Sequence, residues 1–379
     1  MNTDLKEYYF DNSATSNPKP ETVYSAVEHA IRYLNGNPGR ASHHKAIEIS
    51  QAIYDVRCKL AGLFNISNPL QIAFTANATE SLNFAIKGTV HRDAHVITTY
   101  FEHNSSLRPL FYLRDEKNVS ISFVEKFEDM EILITDETQA IVVNHISNLN
   151  GNIQPLKAIG ELCRQYNLLF IVDASQSAGF WDIDVEEMNI DILCLTGHKS
   201  LFGIQGIGAI YVREGVQISP LLEGGTGSYS KLERQPLVMP ELLEAGTLNT
   251  PGILSLGAGI DFIQKIGLDK IRAHEISLTK RFLDGISSIE NIILYPTISE
   301  NRGPVVSINF KGIPSPDLGA LLDEEFNILV RSGFHCAPLA HKYLGTGEFG
   351  SVRFSFGFFN TPEEIDYAIS ALKSISKNI

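Results

Sequence analysis

Between about residues 70 and 215, short apolar runs alternate with stretches of helical periodicity, which predicts a mostly parallel sheet flanked by helices. The predicted strands cover residues 71–75, 95–100, 140–144, 168–173, 191–195 and 209–212. Upstream, residues 20–34 and 44–64 read as two helices. From about residue 250 long helical periodicities take over, followed by a strand at 304–310, a helix over Ser315–Phe326 and a strand at 351–357. A last helix opens with Thr361 as its N-cap and Pro362 at its first position. The expected fold class is α/β with a smaller α+β domain, since 379 residues exceed what one core usually supports. The bounds read as an N-terminal segment at 1–20 that joins the small domain or the active site, a large domain at 21–250 and a small domain at 251–379.

Ligands of open α/β sheets gather at the carboxyl ends of strands, so candidate chemistry is sought there. The apolar run 191–195 leads into Thr196-Gly-His-Lys199, with Gly203, Gly206 and Gly208 close behind. This places a lysine at the end of a buried strand, where glycines permit close backbone approach. Desolvation frees such an amine for Schiff-base chemistry, although an ordinary loop lysine would sit in the same local sequence. Asp173, which ends the apolar run before it, shifts the balance. A buried carboxylate at that position needs a cationic partner, and the protonated pyridinium nitrogen of pyridoxal 5'-phosphate (PLP) is one.

Other strand ends are polar as well. Asn77-Ala78-Thr79-Glu80 has the spacing of a helix cap, whose free N–H groups form a plausible phosphate cup; capping alone explains the same residues. His103 offers an imidazole that could stack on a planar ring, or is simply a satisfied polar residue. Asn148 precedes an Asn150-Gly151 turn and offers an amide to a cofactor phenolate oxygen or a substrate carboxylate. Farther on, Arg331-Ser-Gly-Phe-His335-Cys336-Ala-Pro338 sets a cysteine in a loop with histidine beside it and arginine near. Cationic neighbours favour a thiolate nucleophile. Cys58, Cys163 and Cys194 fall in helical or strand patterns and read as inert core thiols. A metal site from His335, Cys336 and His341 matches no trusted ligand spacing, so no metal is expected.

Composition narrows the class further. The formal charge of −13 disfavours nucleic acid as a partner, and no Lys/Arg cluster offsets it. No window approaches the apolar length of a membrane helix, and the first ten residues lack a basic-then-apolar leader. Four cysteines without pairing or zinc spacing favour a reducing cytoplasm.

Taken together, Glu102-His103, Ser147-Asn148, Asp173-Ala-Ser-Gln176, Thr196-Gly-His-Lys199, Ala245-Gly-Thr247 and Arg331-Ser-Gly-Phe-His-Cys336 resemble the PLP-dependent cysteine desulfurase and selenocysteine lyase family. This family belongs to the class-V aminotransferases of PLP-transferase fold type I. The resemblance spans nearly the whole chain. It implies that Lys199 forms the Schiff base, that Asp173 pairs with the pyridinium nitrogen and that His103 stacks on the ring. It further implies that Gln176 and Asn148 contact the phenolate side or the substrate, and that Ala78, Thr79, Thr196 and His198 lie around the phosphate. Thr247 would reach the phosphate of a neighbouring subunit, which implies a homodimer. Arg353 would bind the substrate carboxylate, with Ala14 beside it; otherwise Arg353 is a strand-edge arginine. The implied reaction converts L-cysteine, or alternatively L-selenocysteine, to L-alanine, with sulfur left as a persulfide on Cys336 for an acceptor protein. Ala78 stands where a second hydroxyl residue is frequent, Thr196 replaces a common serine, and Phe334 stands where many relatives have another histidine. The rival expectations are a class-V lyase, epimerase or aminotransferase that does not use Cys336, and a catalytically silent binding partner.

Overall fold

The computed structural model describes residues 6–34, 36–39, 43–295, 297 and 301–377. The leader reading and the outer domain bounds therefore fall partly on residues 1–5 and 378–379, outside the described residues.

A seven-stranded sheet runs in the order Ile72–Thr75, Gly208–Val212, Ile192–Thr196, Leu169–Asp173, Thr138–Asn144, His95–Thr99, Ser120–Val124. Gly208–Val212 alone runs opposite to the other six strands. The connection at 197–207 is short of the dozen or more residues a parallel crossover needs, and the next strand returns antiparallel, whereas the longer helix-free stretch 174–191 still joins parallel strands. The expected alternation also breaks between Asp173 and Ile192, where turns replace a helix. The strand Ser120–Val124 was not among those expected, because its side chains are only partly covered and its apolar run is short.

Alternate positions of the strands enter different cores. Ile97, Ile141, Val143, Phe170, Val172, Leu193 and Leu195 face one side, while Val96, Val142, Ile171, Ile192 and Cys194 face the other. Helices Asn104–Lys117, Leu156–Tyr166 and Ser315–Phe326 end on Asn118, Asn167 and Asn327, all in the left-handed conformation. Asparagine tolerates this region better than other non-glycine residues, and the chain turns directly into the next strand.

A second sheet, antiparallel, has the order Arg331–Gly333, Ser351–Ser355, Val305–Phe310, Ile292–Tyr295 and packs its own core against Leu278–Phe282 and Ile365–Leu372. The chain start joins this part of the molecule: Tyr8–Tyr9 pairs in parallel with Ile328–Leu329, and Asp11 bridges to Ser355. No helix among the described residues is long and apolar enough to cross a membrane.

Candidate active site

The carboxyl ends of the parallel strands open into a cavity of about 160 Å³. Lys199, Asp173, Gln176, Thr196, His198, His103, Asn148, Ala78 and Thr79 all line it, so the structure brings together nine of the residues singled out in the sequence. The stretch after Thr138–Asn144 alternates like a strand: Asn144, Ile146 and Asn148 face this cavity, while His145 faces a larger one of about 1070 Å³ on the other side.

The lysine loop is held by close backbone packing. Gly197 N–H donates to Ile207 O at 2.9 Å and Gly203 N–H to Gly197 O at 2.8 Å. Gly179, at φ +89°, lies so close that an added Cβ would stand 2.4 Å from Ser200 O. The N-terminal segment closes the loop from outside, with Thr15 Oγ1 and Lys19 Nζ both donating to His198 O, at 3.0 and 2.6 Å. Burial lowers the Lys199 amine to about 8; Asp173 opposes this, while Arg353 and Arg331 reinforce it. An amine so shifted has a sizeable neutral fraction near neutral pH, as attack on a carbonyl requires.

Asp173 ends its strand buried. Its Oδ1 accepts from Ser175 N at 2.8 Å and Ser175 Oγ at 2.5 Å. Burial raises its carboxyl, and the two Ser175 hydrogen bonds and then Lys199 pull the other way. Among the described residues no hydrogen bond falls on the other oxygen.

His103 caps the helix Asn104–Lys117, with Ser105 N–H donating to its Nδ1 at 3.0 Å. The ring is lowered to about 3, first by burial and then by Lys199 and the arginines 331, 353 and 108. It is neutral, and because Nδ1 accepts, its proton sits on Nε2. Ser105 Oγ also meets Thr79 Oγ1 at 2.8 Å, which links His103 to the helix start at Ala78. There Asn77 Oδ1 accepts from Glu80 N at 3.0 Å as expected, but Glu80 reaches back to Ala76 N rather than to Asn77 N. Gly208 admits this turn, since a Cβ there would stand 2.8 Å from the Asn77 carbonyl carbon.

Cys336 does not line the cavity but is docked beside it. Asn104 N–H donates to Cys336 O and Asn148 Nδ2 to His335 O, each at 2.7 Å. Arg331 Nη2 lies 3.6 Å from Cys336 Sγ. Arg353 is only 1% exposed and sits on an inner strand of the small sheet, which corrects the strand-edge alternative. Its Nη2 donates to Asp11 Oδ1 at 2.5 Å and its Nη1 to Asn148 O at 3.0 Å. Ala14 N–H donates to Asp11 O, and Gln176 Nε2 donates to the neighbouring Ser13 O at 3.0 Å. Thr247 is exposed on a surface loop and outside the cavity. Cys163 and Cys194 are buried with thiols pushed up by burial, and Cys58 is half-buried. Among the described residues no group of three or more His, Cys, Asp or Glu side chains is placed to hold a metal ion.

Four contributors had no assigned role in the sequence reading. Ser105 was traceable in principle, standing two residues after His103 at a helix start. Glu102 is buried, accepts from Thr99 Oγ1 and Asn144 N, and is raised by burial to about 8. Asp11 and Lys19 carry no local signal for the site, because the contacts that tie them to Arg353 and His198 cross more than 170 residues.

The family model for class-V aminotransferases matches residues 8–368. The chain belongs to the class-V aminotransferase family. Two relatives are a probable cysteine desulfurase of Pyrococcus abyssi, 34% identical with 98% of this chain and 94% of that protein covered, and one of Methanothermobacter thermautotrophicus, 32% identical with 98% and 96% covered. Among solved structures, a cysteine desulfurase from Thermococcus onnurineus matches with a TM-score of 0.90 at 32% identity, covering 98% of this chain and 95% of that one. Class-V aminotransferases are PLP-dependent enzymes, and the mostly parallel sheet flanked by helices is their fold-type I architecture. The residues present fit that cofactor. Thr196 Oγ1, His198 Nδ1 and Asn148 Oδ1 are buried without hydrogen-bond partners around a cavity that also holds a desolvated amine and a buried carboxyl.

Proposed function

We propose that this class-V aminotransferase homologue is a cysteine desulfurase that converts L-cysteine to L-alanine and carries the sulfur on Cys336. The observation that carries this reading is the docking of the Cys336 loop beside the cavity that holds Lys199, through Asn148, which lines it, and Asn104, which follows the lining His103.

Lys199, Asp173, His103 and Gln176 would hold the ring of PLP, while Thr79, Thr196, His198 and the N–H groups at Ala78 would hold its phosphate. When bound, the cofactor supplies a sink for the electron pair released at the substrate Cα. Lys199, neutral in part because it is desolvated, takes the Cα proton and is placed to return it. Arg353 offers a guanidinium to the substrate carboxylate, with Asp11 and Asn148 O fixing its pose and Ala14 at the wall. Cys336, whose sulfur lies 3.6 Å from Arg331 Nη2, attacks the substrate sulfur as the thiolate. A sulfur–sulfur bond forms and the substrate Cβ–S bond breaks; its electron pair stays on Cβ, which is protonated to the methyl group of alanine. The Cys336 persulfide is then discharged by a thiol, and the short loop running into Pro338–Leu344 suits delivery to a dedicated acceptor protein.

The domains at 21–250 and 251–379 then divide the work, one holding the cofactor and the other, with the segment at 1–20, bringing the thiol and Arg353. Exposed Thr247 suits contact with a second copy, and a homodimer would complete the phosphate site. The four free cysteines suit a reducing cytoplasm.

The test is L-alanine formation from L-cysteine by the purified protein with PLP and a reducing thiol. Wild type is expected to form alanine and Cys336→Ala to lose nearly all of it. No alanine from either would contradict the reading and move selenocysteine or another amino acid forward.

A further inference from the structure

The His335–Cys336 pair holds an unusual backbone. Neither residue is glycine, yet both lie in the left-handed region, at φ 48° and 58°. L-residues enter this region only at a cost, and consecutive ones persist only where surrounding contacts fix them. Those contacts come from both sheets. From the small-sheet side, His335 Nε2 meets Ser351 O at 2.9 Å, and its ring stacks on His341 with centroids 5.5 Å apart. From the large-sheet side, Asn104 N–H holds Cys336 O and the Asn148 amide holds His335 O.

Asn148 does more than one thing at this junction. Its Nδ2 donates to His335 O at 2.7 Å, its own carbonyl accepts from Arg353 Nη1 at 3.0 Å, and its Oδ1 is buried without a partner beside the cavity. One residue therefore touches the cavity, the thiol loop and the buried arginine.

We propose that Asn148 is a positioning residue for the thiol loop, setting Cys336 and Arg353 against the Lys199 cavity through one side-chain and one main-chain hydrogen bond. The inference rests on reading Cys336 as the sulfur-carrying thiol, and it gives Asn148 a role besides contact with a ligand. The side-chain bond is the one open to mutation. Asn148→Asp keeps the shape but removes the donor and sets a carboxylate oxygen against the His335 carbonyl, whereas Asn148→Ala deletes the group.

Hydrogen exchange of the segment 331–340 and the rate of Cys336 alkylation by iodoacetamide, both in the full-length protein without added cofactor, test this. The exchange of Thr138–Asn144 serves as the internal reference for global stability. Both variants are expected to exchange and alkylate in the thiol loop about tenfold faster, which corresponds to about 1.4 kcal/mol, with the reference unchanged. Loop exchange equal to wild type, or an equal acceleration of loop and reference, would overturn the proposal. Neither readout needs turnover of cysteine, so an inactive wild type would count against the desulfurase reading and leave this result standing.

Discussion

The segment around Lys199 is held by close local packing, with Gly197 hydrogen-bonded to both Ile207 and Gly203 and Gly179 pressed against Ser200, and it is closed from outside by Thr15, Ser16 and Lys19 on the His198 and Lys199 carbonyls. In the segment around Cys336, the main-chain carbonyls of Cys336 and His335 take their hydrogen bonds from Asn104, 232 positions away by number, and from Asn148, 187 positions away. The first lies at the end of an inner strand of the large sheet; the second spans two sheets and holds two residues in left-handed backbone. A proton-transferring amine needs one constant place, and close glycine packing provides it. On the function proposed above, a thiol that meets a substrate and then a sulfur acceptor is better served by a few breakable hydrogen bonds.

Removing either reactive group gives the largest effect and separates the regions. Lys199→Ala is expected to lower alanine formation by at least about a thousandfold and to abolish borohydride-fixed PLP on the peptide containing residue 199. Cys336→Ala is expected to lose alanine formation comparably but to retain that fixed PLP. Loss of the label in both variants would break the distinction.

Backbone substitutions come next. An added Cβ at Gly179 would stand 2.4 Å from Ser200 O, and one at Gly350 would stand 2.2 Å from Gly333 O, both at positive φ. Each alanine variant should lose about 2–3 kcal/mol of stability in denaturant unfolding. Gly179→Ala should also weaken PLP binding, whereas Gly350→Ala, which strikes the base of the thiol loop, should spare it.

The gentlest effect at any one pH, a slope spread over several pH units, is electrostatic. Burial raises Glu102 to about 8 from an unfolded value of 4.5, so the folded state holds its proton where the unfolded state has released it. The stability from this group is complete below 4.5 and is lost as pH rises through 8, at no more than about 1.4 kcal/mol per pH unit. Glu102→Gln should flatten that part of the stability profile; an unchanged slope would assign it to other groups.

The lysine region was legible because its signals are local. A buried-strand run, a terminal Asp173 and a Gly-His-Lys199 turn each declare themselves within a few residues, and the cavity gathers them as expected. The parallel alternation was legible for the same reason, and it failed at 174–191 and at Gly208–Val212, where turns replace the crossover helix. The thiol region was only half legible. Its loop chemistry was visible, but the Asn148 tie, the Asp11–Arg353 pair and the joining of Tyr8–Tyr9 to Ile328–Leu329 depend on contacts between distant segments. No local periodicity encodes those, and the strand-edge alternative for Arg353 is excluded only by the sheet order, which places its strand inside.

The central claim is that the two regions form one reaction site, and mass analysis of the Cys336 peptide after exposure to L-cysteine and PLP without reductant tests it most directly. The expected result is a peptide heavier by one sulfur atom in wild type and an unmodified peptide in Lys199→Ala. Equal sulfur loading in both proteins, or none in wild type that nevertheless forms alanine, would contradict it.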